Sequence, residues 1–211
     1  MIRYQLALLA HSQRYLPPLL AFLVVLGVLY SDPGGPPTPE FAVSSGAVLV
    51  LACWLTIALV DAEDPVQRLI TLTHARRAYR VVGGLVAGVL ALCLPLTALS
   101  LVLSIVVHHG DPARVLAVGL VAHVACALTG VAIGLPASRL LVRRIGYTVL
   151  IAVAALILVL RAGWLPLVNP MLRALTNNGF GWGPVLAGLL ASAIALAVSA
   201  AAMTMLLGRR D

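Results

Sequence analysis

The side chains able to do chemistry are few and scattered. His123 and Cys126 stand three apart within one apolar run, a spacing that places both on one helix face, where an imidazole nitrogen and a thiolate could ligate a metal. Two ligands are too few for a site, and a histidine bonded to a neighbouring helix accounts for the pair better. His108-His109 closes another apolar run. Metal binding or pH sensing is open to it, but solvation at a loop edge is the simpler account. Ser44-Ser45-Gly46 lacks a flanked nucleophile motif and a suitably placed deep histidine. No P-loop, HExxH or glycine-rich nucleotide fingerprint occurs. The chain is therefore expected to be no enzyme, with no catalytic residue, metal or cofactor of its own. Cys53, Cys93 and Cys126 lie inside apolar runs without a CxxC pair and read as small buried hydrophobes.

The densest ionisable segment is Asp61 to Arg80. It holds Asp61, Glu63 and Asp64, three of the seven acids, with Arg68, Arg76, Arg77 and Arg80. Asp64-Pro65-Val66-Gln67 has the form of a helix start: a carboxylate at the N-cap, proline at the first helical position, and Gln67 three residues on to reach back to the cap amide. Val66, Leu69, Ile70 and Thr73 recur at helical spacing while Arg68, Arg76 and Arg80 project elsewhere. One account is a solvated connector whose arginines anchor lipid headgroups. Acids suit a negative inner membrane surface poorly, however. A helix mixing apolar, acidic and basic groups fits docking into a groove on a protein partner.

What must position these residues is a set of six charge-free apolar runs, 15–31, 41–60, 81–107, 115–138, 145–160 and 174–208. A tilted helix needs roughly 17 to 25 residues to cross about 30 Å of hydrocarbon, so only the fifth run is marginal. With 62% hydrophobic residues, 10% charged residues and a mean hydropathy of +1.07, the chain cannot cover a soluble globular surface. The expected fold is an all-α membrane protein, a single six-span transmembrane domain over 1–211. All 14 basic residues are Arg. With both termini in the cytoplasm, only Arg114, Arg161 and Arg173 fall on outer segments, as the positive-inside rule requires. This places the chain in the cytoplasmic (inner) membrane as a multi-pass protein. The net charge of +7 then needs no nucleic-acid partner, because anionic lipid meets it.

The first 15 residues are interrupted by His11, Ser12, Gln13 and Arg14 and do not form a secretory signal. They read either as an interfacial helix with Ile2, Leu6 and Leu9 on one face and Pro17-Pro18 as the break before the first span, or equally as the start of a long first helix, since membrane helices tolerate proline kinks. The loop from Ser31 to Glu40 is rich in turn-formers. In the outer link, 161–183, Asn169-Pro170 is a second cap-plus-proline start and Asn177-Asn178-Gly179 a left-handed stop, which predicts a short helix over 170–176. Trp164, Phe180 and Trp182 flank it as interface aromatics, with Arg173 within. A half-inserted, re-entrant link would explain a fifth run of 16 residues beside a sixth of 35. Gly84-x-x-x-Gly88, Gly130-x-x-x-Gly134 and the Ala191, Ala195, Ser199 stripe are expected packing sites.

A surface helix at Ile2 to Arg14, six spans with both ends inside, a helical loop at Asp64 to Arg77 and a long link at Arg161 to Gly183 together resemble the membrane subunits of ABC exporters of the second type. The resemblance is one of layout and covers nearly the whole chain. It implies a permease that works as a homodimer or beside a related chain. It also implies a separate cytoplasmic ATPase, which binds ATP and Mg and docks on the segment carrying Glu63, Asp64, Gln67, Arg68, Ile70, Arg76 and Arg77. With no charge deep in any run, an amphipathic or lipid-like cargo such as a peptide, drug or natural product is expected. The alternatives are a six-span capture subunit of an importer, which the short Pro/Gly-rich outer loops disfavour, and a membrane immunity protein.

Overall fold

Inside hydrocarbon no water is present to bond backbone N–H and C=O groups, so long apolar runs fold into helices. The computed structural model describes residues 2–32, 34–63, 78–108, 112–138, 145–177 and 181–208, and among them every regular element is helical. In order these are α1 (Ile2–Ser12), α2 (Leu16–Leu29), α3 (Pro37–Ala62), α4 (Ala78–Val107), α5 (Ala113–Ala137), α6 (Ile145–Arg161), α7 (Asn169–Thr176) and α8 (Trp182–Gly208).

Four of them, α3, α4, α5 and α8, are long and apolar enough to cross a membrane. At 25 to 30 residues they reach about 38 to 45 Å, more than the hydrocarbon needs. The bent pair α1–α2 makes a fifth candidate when counted as one. The 17-residue α6 spans only about 25 Å and falls below that length.

Three boundaries differ from the sequence reading, each for a local reason. The chain breaks at Gln13 (φ 53°), not at Pro17-Pro18, and α1 and α2 meet there at 83°. The two prolines sit in the first turn of α2, where a missing N–H costs nothing. Proline likewise starts α3 at Pro37, so Glu40 belongs to its first turn rather than to the loop. The short helix expected in the 161–183 link is present as α7. Asn169 is its first residue and not its cap, and Asn177 ends it at φ −88° rather than in a left-handed conformation. Asn178 and Gly179 lie outside the described residues.

The bundle is built around α3 and α5. Of α3's most apolar stretch 67% is buried, and of α5's 56%, against 28% for α4 and 17% for α8. Helices in lipid gain no hydrophobic driving force from each other, so close packing must come from small residues. Gly130 accommodates the Leu49 carbonyl, the Ala52 Cβ and the Cys53 amide of α3. One turn on, Gly134 accepts Thr56 and the Cys53 carbonyl, and near the start of α5 Gly119 lies beneath the Phe41 ring.

Hydroxyls join the outer helices to this pair. Ser192 Oγ donates to Gly188 O at 2.7 Å and receives Thr129 Oγ1 at 2.8 Å, while Ser199 Oγ donates to Ala132 O at 2.9 Å, so α8 is tied to α5 twice. Tyr30 beyond α2 bonds Ser100 of α4 at 3.2 Å. Apolar packing completes the body: Leu9, Phe22, Leu26, Val89 and Met203 join one cluster with α3, and Val118, Met171, Leu175 and Val185 form a second beneath α7.

Candidate functional site

Ionisable side chains come together at two places where helices of this bundle end. The first end is where α1, the start of α2 and the end of α3 meet. Gln5 and Leu9 of α1 are buried against the bundle, so α1 is docked onto protein rather than lying only on lipid. Of the expected apolar face, Leu9 is buried and Leu6 half-buried. Gly88 of α4 faces the same place, and a Cβ there would stand in ordinary van der Waals contact, 3.6 Å from Gln5 Oε1 and 3.8 Å from Leu59.

After the turn at Gln13, Arg14 Nη1 donates to the Asp61 carbonyl at 2.9 Å. The last carbonyls of a helix have no partner in their own helix and carry the negative end of its dipole, so a guanidinium there is favoured twice over. The same helix end is the exit toward 64–77. Glu63 closes α3 in extended backbone, φ −91° and ψ 123°. Of the residues expected to meet an ATPase, Glu63 is thus placed at the exit. Asp64, Gln67, Arg68, Ile70, Arg76 and Arg77 lie outside the described residues.

At the opposite end, His108 follows the last turn of α4 and Glu40 occupies the first turn of α3. His108 Nε2 lies 2.9 Å from the Gly35 carbonyl and 3.6 Å from Glu40 Oε1, and Nδ1 lies 3.2 Å from the Ser104 carbonyl. Neither side chain is more than 8% exposed. The loop-edge solvation expected for His108 therefore does not hold: the ring is enclosed between a loop and two helix ends.

Beside this end, α7 covers the second apolar cluster with Met171 and Leu175. Asn169 donates through Nδ2 to the Leu160 carbonyl, tying α7 to the end of α6. Pro170 fills the first turn of α7. Arg173 lays its guanidinium alongside Gly163, while Trp164 is 78% exposed and Trp182 packs partly against the cluster. The described residues of the 161–183 link thus gather on one side of the bundle.

The interior offers little chemistry. His123 is fully buried, donates through Nδ1 to the Gly119 carbonyl of its own helix at 2.7 Å, and meets the Phe41 ring edge-on at a centroid distance of 6.1 Å. The expected bond to a neighbouring helix is absent, and Nε2 has no hydrogen-bond partner among the described residues. Cys126 is fully buried in the cluster that includes Leu49 and Val118. Ser44 and Ser45 both turn their hydroxyls onto carbonyls of their own helix, which leaves no activated nucleophile. Among the described residues no three His, Cys, Asp or Glu side chains converge on a point that could hold a metal. A groove of about 470 Å³ between Pro17, Phe22 and Val25 of α2 and Val50, Leu51 and Trp54 of α3 is almost wholly apolar and can grip hydrocarbon but orient nothing polar.

Glu40 and Arg14 were the residues passed over in the sequence. An acid and a histidine at opposite ends of consecutive antiparallel spans are brought together by topology, and that was the available signal for Glu40. Arg14 carried none beyond its charge. No family model, no curated protein and no solved structure matches the chain.

Proposed function

We propose that the chain is the permease subunit of an ATP-driven ABC exporter. In this reading α2 and α6 join the four long helices to make six spans, and both termini face the cytoplasm. Short spans are accommodated by local bilayer thinning and by the flanking interface residues. The observation that carries the reading is the bond from Arg14 to the Asp61 carbonyl, because it fastens α1 and the start of α2 to the point where 64–77 leaves α3. A push on 64–77 from a cytoplasmic ATPase then moves α3 together with α1 and α2, not α3 alone. Since α3 packs on α5 through glycine contacts with no slack, the displacement passes into the centre of the bundle.

The interior supports an amphipathic cargo. Within α3, α4, α5 and α6, Asp, Glu and Arg occur only in the first or last turn, and α8 has none over its described length. Ion-coupled carriers and proton relays need such groups at depth. ATP and Mg bind in the partner, and a second permease chain completes the path.

Purification in mild detergent tests this. A cytoplasmic P-loop ATPase is expected to come down with the chain in equal amount, with ATP turnover by the complex and none by the isolated subunit. Turnover by the isolated chain, or its purification in active form without any ATPase, sinks the reading.

A further inference from the structure

We propose that His108, Glu40 and the Gly35 carbonyl form a proton-sensitive latch that holds Gly34 and Gly35 across the ends of α3 and α4. A carbonyl oxygen only accepts hydrogen bonds, whereas a ring nitrogen donates only when it carries a proton. Nε2 faces the Gly35 carbonyl at 2.9 Å, and Nδ1 faces the Ser104 carbonyl at 3.2 Å. Both contacts are satisfied together only by the doubly protonated imidazolium; a neutral ring turns one of them into lone pair against lone pair. The charge this form carries is met by the Glu40 carboxylate 3.6 Å away, in a place where each side chain is at most 8% exposed.

The backbone is shaped for this meeting. A Cβ on Gly35 would come within 2.7 Å of Glu40 Oε1, so a side chain here would turn the carboxylate aside from where it now lies. Asp32 holds the loop in that shape: its side chain accepts from the Gly34 amide at 3.0 Å and its carbonyl from the Gly35 amide at 3.3 Å. Among the described residues the neighbouring elements contribute few other charges. Asp32 lies on the loop, Arg114 starts α5, and α8 has no titratable side chain over its described length. His109 and Asp111 follow in the chain and lie outside the described residues.

The latch is closed while His108 carries both protons and Glu40 none. As the pH rises and the ring loses its second proton, one of the two carbonyl contacts becomes repulsive and the loop is released. The device rests on the packing at this end alone and not on the transport reading.

Hydrogen–deuterium exchange of the full chain in lipid nanodiscs tests it, read on peptides covering 31–40 at several pH values and divided by the rate of the same peptide free in solution. In the wild type the protection is expected to fall about tenfold between the pH at which the ring is doubly protonated and the pH at which it is neutral. In His108→Gln, whose amide donates to Gly35 but cannot become a cation, protection is expected to be independent of pH. Protection across 119–134 reports that the bundle stays folded. A wild-type profile without the fall overturns the proposal, as does a fall that persists in His108→Gln. Should that variant not fold, Glu40→Gln decides: without the countercharge the fall moves to lower pH, and an unmoved profile overturns the latch.

Discussion

Gly130 of α5 faces the Leu49 carbonyl of α3 with no room for a Cβ between them. Two central helices are thereby held backbone to backbone. The same face continues at Gly134, where a Cβ would meet Thr56 Cβ at 2.6 Å and the Cys53 carbonyl at 2.8 Å. These neighbours are backbone atoms or stiff β-branched atoms, so the cost of adding atoms cannot be relieved by a rotamer change.

Gly130→Val and Gly134→Val are therefore expected to destabilise the protein by about 1–3 kcal/mol each, seen as a lower Tm in detergent. Gly46→Ala is the control. Nothing lies within 4 Å of its would-be Cβ, and the change should be neutral or raise stability by up to about 1 kcal/mol. Wild-type melting of Gly130→Val would remove the α3–α5 contact from the centre of the fold.

The α5–α8 hydroxyl pair should count for less. Ser192 receives Thr129 while donating to Gly188, and the one Thr129 hydroxyl proton is contested by the Ala125 carbonyl at 3.0 Å. Interhelical hydrogen bonds in membranes are worth on average about 0.6 kcal/mol. A double-mutant cycle of Thr129→Ala and Ser192→Ala is expected to return a coupling near that figure. A coupling above about 2 kcal/mol would mean that α8 is held chiefly by this bond and not by its apolar face.

The helical architecture was legible because the hydrocarbon constraint acts on length and polarity, both plain in the chain. The runs at 81–107 and 115–138 correspond closely to α4 and α5. What pairs with what was not legible. Gly130 and Gly134 read as packing residues, but their facing carbonyl belongs to α3 only because of tertiary geometry. Asn169 read as a cap from its local pattern, yet its amide reaches the Leu160 carbonyl instead, a competition that local sequence cannot decide. The break at Gln13 was hidden for a related reason. Pro17-Pro18 looked like the interruption, whereas proline in a first helical turn starts a helix without disturbing it.

Sidedness is open to direct labelling. Cys53, Cys93 and Cys126 are buried free thiols, so a membrane-impermeant maleimide should leave the parent chain largely unmodified. A cysteine introduced at the exposed Gly34 is expected to label from outside intact cells, and one at Arg76 only after the membrane is opened. The reverse pattern would invert the topology and take the coupling argument with it.

The contact between Arg14 and the Asp61 carbonyl yields the sharpest test of force transmission. Arg14 is exposed, so Arg14→Ala should cost about 1 kcal/mol or less in stability. If the bond makes α1 and α2 move with α3, the same change should weaken the coupling of ATP turnover to transport by about fivefold, which corresponds to roughly 1 kcal/mol of lost coupling. Charge reversal at Arg68 or Arg76 is expected to act one step earlier, weakening ATPase docking by placing the wrong sign at the contact, with insertion and folding intact. Reversal at Arg143 and Arg144, in the link between α5 and α6, should do less. The two classes differ in measurable ways: Arg14→Ala retains the partner and loses coupling, whereas Arg68→Glu and Arg76→Glu lose the partner. If Arg68→Glu and Arg76→Glu keep full transport and partner binding while the Arg143 and Arg144 changes abolish them, force enters between α5 and α6. The bond from Arg14 to Asp61 then only holds α1 in place.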